Sequence, residues 1–132
     1  MNIFIDSSFL VALIYPEDIN HQTALLLGKK YSNNSYCIDH LIKYESINVL
    51  LRKGDVLLAK RLNRWLNKEK FRHLHLGDET WNTAFRDLIK NFSINGPNIF
   101  DHLHFATMRE YYISDVLTFE KHFAKFGFNI LK

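Results

Sequence analysis

The chain has 132 residues, enough for one domain with a substantial core, and its 47% hydrophobic and 14% aromatic content excludes a disordered protein. Its formal net charge of +3 is compatible with a polyanionic partner but does not require one. No apolar run approaches the roughly 20 residues of a membrane helix, and Asp6 interrupts an apolar start that lacks a basic segment, so we expect neither a membrane anchor nor a signal peptide.

The N-terminal half alternates predicted strands and helices. Residues 2–5 are apolar and predict a buried strand that ends at Asp6, after which Ser7 or Ser8 is placed to cap a short helix that stops before Pro16. The next predicted elements are a helix over 19–31, a strand over 36–38, a helix over 41–53 with Asp39 as a plausible N-cap, a helix over 55–68 and a strand over 71–76.

The C-terminal half continues the alternation. A helix over 78–92 is predicted with apolar residues facing inward at Trp81, Ala84, Phe85, Leu88 and Ile89. The break Gly96-Pro97-Asn98 precedes a helix over 99–112, which is followed by a strand over 115–119, a short helix over 120–125 and a last strand over 128–131.

This alternation predicts the fold class and the place of any ligand. It is typical of an α/β protein, here a three-layer α/β/α sandwich with a mostly parallel central sheet, and we expect one domain over residues 1–132. Ligands of such sheets bind at the carboxyl ends of the strands, where the strand order reverses. The single cysteine, Cys37, excludes an internal disulfide and predicts a buried thiol in a cytoplasmic protein.

Four acids are placed to meet at that edge of the sheet. Asp6 ends the first strand, and Glu120 directly follows the fourth strand. Glu45 lies in the second turn of the helix after the second strand, and Asp101 lies in the first turn of the helix before the fourth strand. Because like charges raise one another's pKa, such a cluster favours a divalent cation, and carboxylate oxygens suit Mg²⁺ or Mn²⁺. Asp115 fits a fourth acid less well, since it lies near the opposite end of its strand.

Four segments together resemble the motifs of PIN-domain ribonucleases. "NIFIDSSFLVAL" is similar to the first motif and "LIKYESINVLLRKG" to the second, while "NIFDHLHFATMREYYISDVLTFEKHFAKFGFNIL" resembles the third and fourth together. The order of the motifs and the length of the chain resemble the compact VapC-type toxins. The fourth acid departs from the family, which usually has Thr-x-Asp where this chain has Thr118-Phe119-Glu120.

The resemblance implies a PIN-like fold and a metal-dependent endoribonuclease. Asp6, Glu45 and Asp101 match the family's acids and Glu120 would complete the set, so these four are the expected catalytic and metal-binding residues, with Mg²⁺ or Mn²⁺ as cofactor. A metal-activated water would hydrolyse the RNA phosphodiester bond. The resemblance also implies the toxin half of a toxin–antitoxin pair, with a small antitoxin as partner and a homodimer. Ser8 and Thr118 would orient ligands or waters around the acids.

Each of these residues also has a purely structural interpretation. Asp101 would be an N3 acid behind an Asn98 N-cap, Asp6 would be another N-cap, and Glu45 would lie on a helix surface. Seven cations between Lys53 and Arg72 would form either a solvated helix face or a contact with the RNA backbone: Lys53, Lys60, Arg61, Arg64, Lys68, Lys70 and Arg72.

The histidines and tryptophans receive structural interpretations. His102 and His104, two apart on a helix, are expected to be partly exposed and to point to different sides. His73 and His75 share a strand face, but no further ligand accompanies them at zinc spacing, so no zinc site is expected. Trp65 and Trp81 are expected in the core.

Two other classes of function remain open at this stage. One is a PIN-like module that has lost catalysis and only binds protein or RNA, which the glutamate at position 120 keeps open. The other is a phosphorylation-dependent receiver-like domain with Asp78 as the phosphoacceptor. It lacks the second acid usual beside the first strand's Asp and a final helix.

Overall fold

The computed structural model describes all of residues 1–132. Five strands form one sheet: β1 (Asn2–Ile5), β2 (Ser35–Asp39), β3 (Phe71–Leu74), β4 (Asp115–Leu117) and β5 (Asn129–Ile130). Seven helices connect them: α1 (Ser7–Ile14), α2 (His21–Lys30), α3 (His40–Arg52), α4 (Val56–Leu66), α5 (Asp78–Lys90), α6 (Ile99–Glu110) and α7 (His122–Lys125). None of the helices is both long and apolar enough to span a membrane.

The sheet is parallel throughout, in the order β3-β2-β1-β4-β5. The chain moves outward from β1 to β2 and β3 and then returns to place β4 on the other side of β1, so the order reverses between β1 and β4. Ile5 lies opposite Leu117 in the register, which brings Asp6 and Thr118 to the same level at the carboxyl edge. The crevice in which such sheets bind their ligands is therefore expected beside these two residues.

Helices cover the sheet in two groups, as a three-layer sandwich requires. α1 packs against α2 and α3, α3 packs against α4, and α5 packs against α6. Parallel strands with right-handed crossovers place α1–α4 on one face and α5–α7 on the other. The main core lies between these layers and includes Cys37, whose predicted burial is confirmed. The predicted fold class is likewise confirmed.

Several predicted boundaries were too wide. The strand over 115–119 ends at Leu117, the strand over 71–76 ends at Leu74, and the helix over 19–31 begins only at His21. Ile19 is almost fully exposed, so it contributes nothing to a buried helix face. These ends are decided by sheet pairing and packing, which propensity does not encode.

Helix caps were predicted with mixed success. Asp39 caps α3 as expected, by accepting a hydrogen bond from the Ile42 amide at 2.9 Å. The expected Ser7 or Ser8 cap of α1 is wrong, because Asp6 occupies the N-cap position and α1 begins at Ser7. The Asp6 side chain makes no capping hydrogen bond, so its carboxylate is free for other contacts.

Side-chain burial was predicted wrongly on two helices. Ala84 of α5 is buried as predicted, but Trp81, Phe85 and Ile89, which the prediction also placed in the core, are about half exposed. The apolar periodicity was real, but no element of this chain covers that face. His102 and His104 of α6 were expected at the surface and are instead buried, at 2% and 1% exposure.

Candidate metal and nuclease site

Asp6 is the centre of the carboxyl-edge crevice. Its backbone N–H donates to the Leu117 carbonyl at 3.0 Å, which fixes it at the junction of β1 and β4. Its side chain is buried, and Oδ2 accepts hydrogen bonds from the hydroxyls of Ser8 at 2.7 Å and Thr118 at 2.8 Å. Oδ1 accepts no hydrogen bond from the protein and is reached by solvent. The structure therefore leaves one oxygen of a buried carboxylate open toward the crevice.

Ser8 and Thr118 hold the Asp6 carboxylate in place. Their hydroxyl oxygens lie 3.2 Å apart. Ser8 Oγ also accepts the Phe119 N–H at 3.0 Å, and Thr118 Oγ1 accepts the Glu120 N–H at 2.9 Å. The two hydroxyls thus tie the end of β4 to the start of α1 and restrict the orientation of Asp6.

Glu45 reaches the crevice from the second turn of α3. Its Oε2 accepts the Ser7 hydroxyl at 3.1 Å, and its Oε1 accepts His104 Nε2 at 3.3 Å. About a third of its side chain is exposed. Glu45 is therefore held between α1 and α6 with one side toward solvent, rather than lying on an outer helix surface.

A buried Asp39–His104 pair lies behind Glu45, and the sequence interpretation missed it. His104 Nδ1 contacts Asp39 Oδ2 at 2.6 Å, and both side chains are essentially inaccessible to solvent. Because each ring nitrogen faces a carboxylate, both must donate, and the ring is the imidazolium. Asp39 was recognised only as a helix cap. The one signal was a second polar residue, His104, within the apolar run of α6.

The electrostatics of the pair and of Asp6 are coupled. Burial alone would lower the pKa of His104, but the Asp39 carboxylate, the hydrogen bonds to Asp39 and Glu45 and the charge of Asp6 raise its pKa to about 10. Burial raises the pKa of Asp6 above its usual value, against the opposing effects of His104, Ser8 and Thr118. One cation thus stabilises a region that contains three carboxylates, those of Asp6, Asp39 and Glu45.

The raised pKa of His104 predicts how stability depends on pH. A group whose pKa is higher in the folded state contributes its full stability below the unfolded value of about 6.5, and loses it as the pH rises through the folded value. We expect the free energy of unfolding to fall between pH 6.5 and about 10, measured by urea denaturation. His104→Gln should lack this slope. Equal slopes in both proteins would contradict the assignment.

Asp101 lies at the start of α6 and caps that helix. Its Oδ2 accepts the Asn98 N–H at 2.9 Å, and its own N–H donates to Asn98 Oδ1 at 3.0 Å. This is the capping box of the structural interpretation, and Asp101 makes no hydrogen bond to the other acids. It lies three residues before His104, so both side chains are on neighbouring positions of one helix face. Its Oδ1 has no protein donor.

Glu120 lies at the outer rim. Its Oε1 accepts the His122 N–H at 3.3 Å and is 3.6 Å from His122 Nε2, and about four-tenths of its side chain is exposed. Asp115 is at the amino end of β4, where it accepts a hydrogen bond from Asn129 at 2.8 Å. The structure therefore separates Asp115 from the crevice and leaves Glu120 beside Thr118.

The donors fit a hard divalent cation by their chemistry, but they do not form a closed coordination sphere. Carboxylate oxygens are the ligands that Mg²⁺ and Mn²⁺ prefer, and a buried carboxylate with an open oxygen gains most from a cation. No three His, Cys, Asp or Glu side chains stand close enough together to hold one metal ion. The contacts connect Asp6, Glu45 and Glu120 through Ser7, Ser8, Thr118 and His104; Asp101 stands apart.

Comparison with known proteins identifies the family. A family model of the PIN domain matches residues 3–129. The fold is similar to that of VapC20 from Mycobacterium tuberculosis, described as a sarcin-ricin loop cleaving toxin, with a TM-score of 0.87 and 23% identity over 98% of each chain. It is also similar to VapBC2 from Rickettsia felis, solved with a DNA fragment from its promoter, with a TM-score of 0.68 and 17% identity over 100% of this chain and 98% of that one.

A search of curated proteins finds no sequence match. The family match nevertheless spans nearly the whole chain, and both solved structures superpose on it over 98–100% of its length. On this evidence the protein is a member of the PIN-domain family.

Proposed function

We propose that the protein is a metal-dependent endoribonuclease that hydrolyses RNA phosphodiester bonds. The observation that carries the proposal is the buried Asp6 carboxylate at the point where the strand order reverses, with one oxygen open and with Glu45 hydrogen-bonded to the adjacent Ser7. Membership of the PIN family and the similarity to VapC20, a sarcin-ricin loop cleaving toxin, support RNA as the substrate.

Mg²⁺ or Mn²⁺ is the proposed cofactor, and Asp6, Glu45, Asp101 and Glu120 are the residues that would hold it. When bound, such an ion supplies Lewis acidity for attack by water on phosphorus and stabilises charge on the phosphoryl oxygens. The residues of the chain prepare the site: Ser8 and Thr118 fix Asp6, and Asp39 and His104 fix Glu45. Because those supports are buried, the acids are oriented before substrate arrives.

The proposed biological role is the toxin of a toxin–antitoxin pair acting in the cytoplasm, with a small antitoxin as partner and a homodimer as its assembly. The description of the Rickettsia felis structure as a VapBC2 complex supports a protein partner. The exposed apolar face of α5 supports a protein contact, because Trp81, Phe85 and Ile89 recur every four residues along one side of the helix without a cover.

The experiment that tests the activity is an analysis of the cut ends. Purified protein is incubated with total tRNA and rRNA in Mg²⁺, and the products are examined for phosphate and hydroxyl termini. Attack by water predicts products without a 2′,3′-cyclic phosphate, and a 2′-deoxy nucleotide at the cut site should still be cleaved. Cyclic phosphate products, or resistance of the 2′-deoxy substrate, would contradict the proposal.

A second candidate is a PIN-like module that binds but does not cleave. It is favoured by the absence of three metal-ligating side chains within reach of one ion. Calorimetric titration with Mg²⁺ and Mn²⁺ separates the two. The nuclease predicts binding that Asp6→Asn removes, whereas the module predicts no saturable binding and no cleavage of the same RNA pool.

Glu120 should contribute less to catalysis than Asp6 does. Its side chain is partly exposed and lies at the rim, so Glu120→Gln should lower the cleavage rate by about tenfold and raise the Mg²⁺ concentration needed for half-maximal rate. Glu120→Asp, which restores the family's usual residue type, should retain most of the rate. If Glu120→Gln lost as much of the cleavage rate as Asp6→Asn does, or lost none of it, this smaller role for Glu120 would be contradicted.

A further inference from the structure

A basic groove lies apart from the crevice, between α5, the end of α6 and the turn from α7 into β5. Its volume is about 700 Å³. Four cations line it, Arg86, Lys90, Arg109 and Lys125, against one carboxylate, Asp87. Asp87 Oδ1 lies 3.7 Å from Arg86 Nε, so this carboxylate partly neutralises one of the four cations and leaves the other three. The groove therefore carries a net positive charge drawn from three separate elements.

Arg109 is fixed in the wall of the groove. One guanidinium nitrogen, Nη2, donates to the Phe126 carbonyl at 2.7 Å, and the group lies 5.0 Å from the centre of the Phe128 ring. The other N–H groups of the guanidinium make no hydrogen bond to the protein. A planar cation held in this way has donors ready for an anion and loses little conformational entropy when it binds one.

A buried histidine lies against the same wall. His102 is 2% exposed, and neither of its ring nitrogens has a hydrogen-bond partner. Its ring packs edge-on against Phe126 at 5.0 Å and against Phe105 at 5.5 Å. Buried polar atoms without partners are rare in folded proteins. His102 does not itself line the groove, so its ring supports the wall behind Phe126 and adds no contact for a ligand.

From this geometry we propose that the groove between α5, α6 and α7 binds the phosphodiester backbone of the RNA outside the cleavage site. The inference rests on the proposed function and adds a second contact surface for the same substrate. The guanidinium and ammonium groups on three elements would bind successive phosphates of the RNA backbone. Arg109 lies about 12 Å along α6 from Asp101.

The test measures RNA binding without cleavage. A labelled single-stranded RNA is titrated onto Asp6→Asn protein, and onto the same protein with Arg86→Ala and Lys90→Ala added. Both side chains are outside the catalytic set, and the Arg86 side chain is 74% exposed, so folding should be unchanged. We expect the Arg86/Lys90 protein to bind the RNA roughly tenfold more weakly. The slope of log binding constant against log salt concentration should become shallower by about 0.7 for each cation removed.

The matched control carries Lys60→Ala and Arg64→Ala in the same background. These residues have the same charges and the same spacing of four on α4, within the basic stretch that the sequence also offered as an RNA contact. The groove predicts an unchanged affinity and salt slope for this control. Equal losses in both proteins, or no loss in the Arg86/Lys90 protein, would overturn the proposal. Competition by polyglutamate as strong as by unlabelled RNA would do the same, in favour of an acidic protein partner.

Failure of this inference and failure of the nuclease give different results. If the unmodified protein cleaves RNA but the Arg86/Lys90 protein binds RNA with unchanged affinity, the groove is rejected and the nuclease is retained. Groove-dependent RNA binding by a protein that cleaves nothing would reject the nuclease and leave the groove.

Discussion

Replacing Asp6 with asparagine should abolish RNA cleavage and yet make the metal-free protein more stable. The carboxylate is buried, and its raised pKa means that the folded state holds the proton more tightly than the unfolded chain does. The stability linked to this group is therefore present at low pH and lost as the pH rises through the folded pKa. At neutral pH the charge is a net cost, which an uncharged asparagine removes.

The loss of cleavage in Asp6→Asn should exceed about 100-fold. Mutation of a residue that only supports a metal ligand commonly lowers metal affinity or activity by 10–100-fold, and Asp6 is proposed as a ligand itself. Melting temperatures with and without Mg²⁺ provide the second readout: Mg²⁺ should stabilise the unmodified protein and not the variant. A variant that cleaves at a normal rate, or that melts below the unmodified protein without metal, would contradict this account.

Replacing His104 with leucine should destabilise the protein by roughly 3–5 kcal/mol, because it leaves the buried Asp39 carboxylate without its cation. Urea denaturation measures the loss. The double variant His104→Leu with Asp39→Asn should lose clearly less than the sum of the single changes, since the two side chains act as a pair. Additive losses would show that the 2.6 Å contact does not stabilise the fold.

His104 should also affect catalysis through Glu45. His104→Gln, which can keep one hydrogen bond, should fold more stably than His104→Leu and retain part of the cleavage rate. Because Glu45 is held by Ser7 on its other oxygen, the effect should appear as a raised Mg²⁺ requirement more than as a lost RNA affinity. Equal metal dependence in the unmodified and variant proteins would leave His104 with a role in folding alone.

The fold was largely predictable because its signals are local. Apolar runs that end in Asp6, and the break at Gly96-Pro97-Asn98, mark a strand end and a helix start without reference to the rest of the chain. Parallel topology then brings Asp6 and Thr118 to one edge, and the register places them there. Whether the four acids share a metal is a separate question, which the topology does not answer.

The Asp39–His104 pair was not predictable because it joins residues 65 positions apart. Asp39 has an adequate local role as a cap, so its second oxygen gave no reason to search for a partner. The same limit explains Trp81, Phe85 and Ile89. Periodicity indicates that a helix has an apolar face, but whether another element of the chain covers that face depends on tertiary packing, which periodicity does not encode.

The measurement that tests the central claim most directly is cleavage of tRNA and rRNA in Mg²⁺, in Mn²⁺ and in chelator by three proteins: unmodified, Asp6→Asn and Asp115→Asn. Asp115 is the matched control, since it is a carboxylate beside the same pair of strands but at the opposite edge of the sheet. The account predicts metal-dependent cleavage that survives in Asp115→Asn and is lost in Asp6→Asn. Cleavage that persists in chelator or in Asp6→Asn would contradict it.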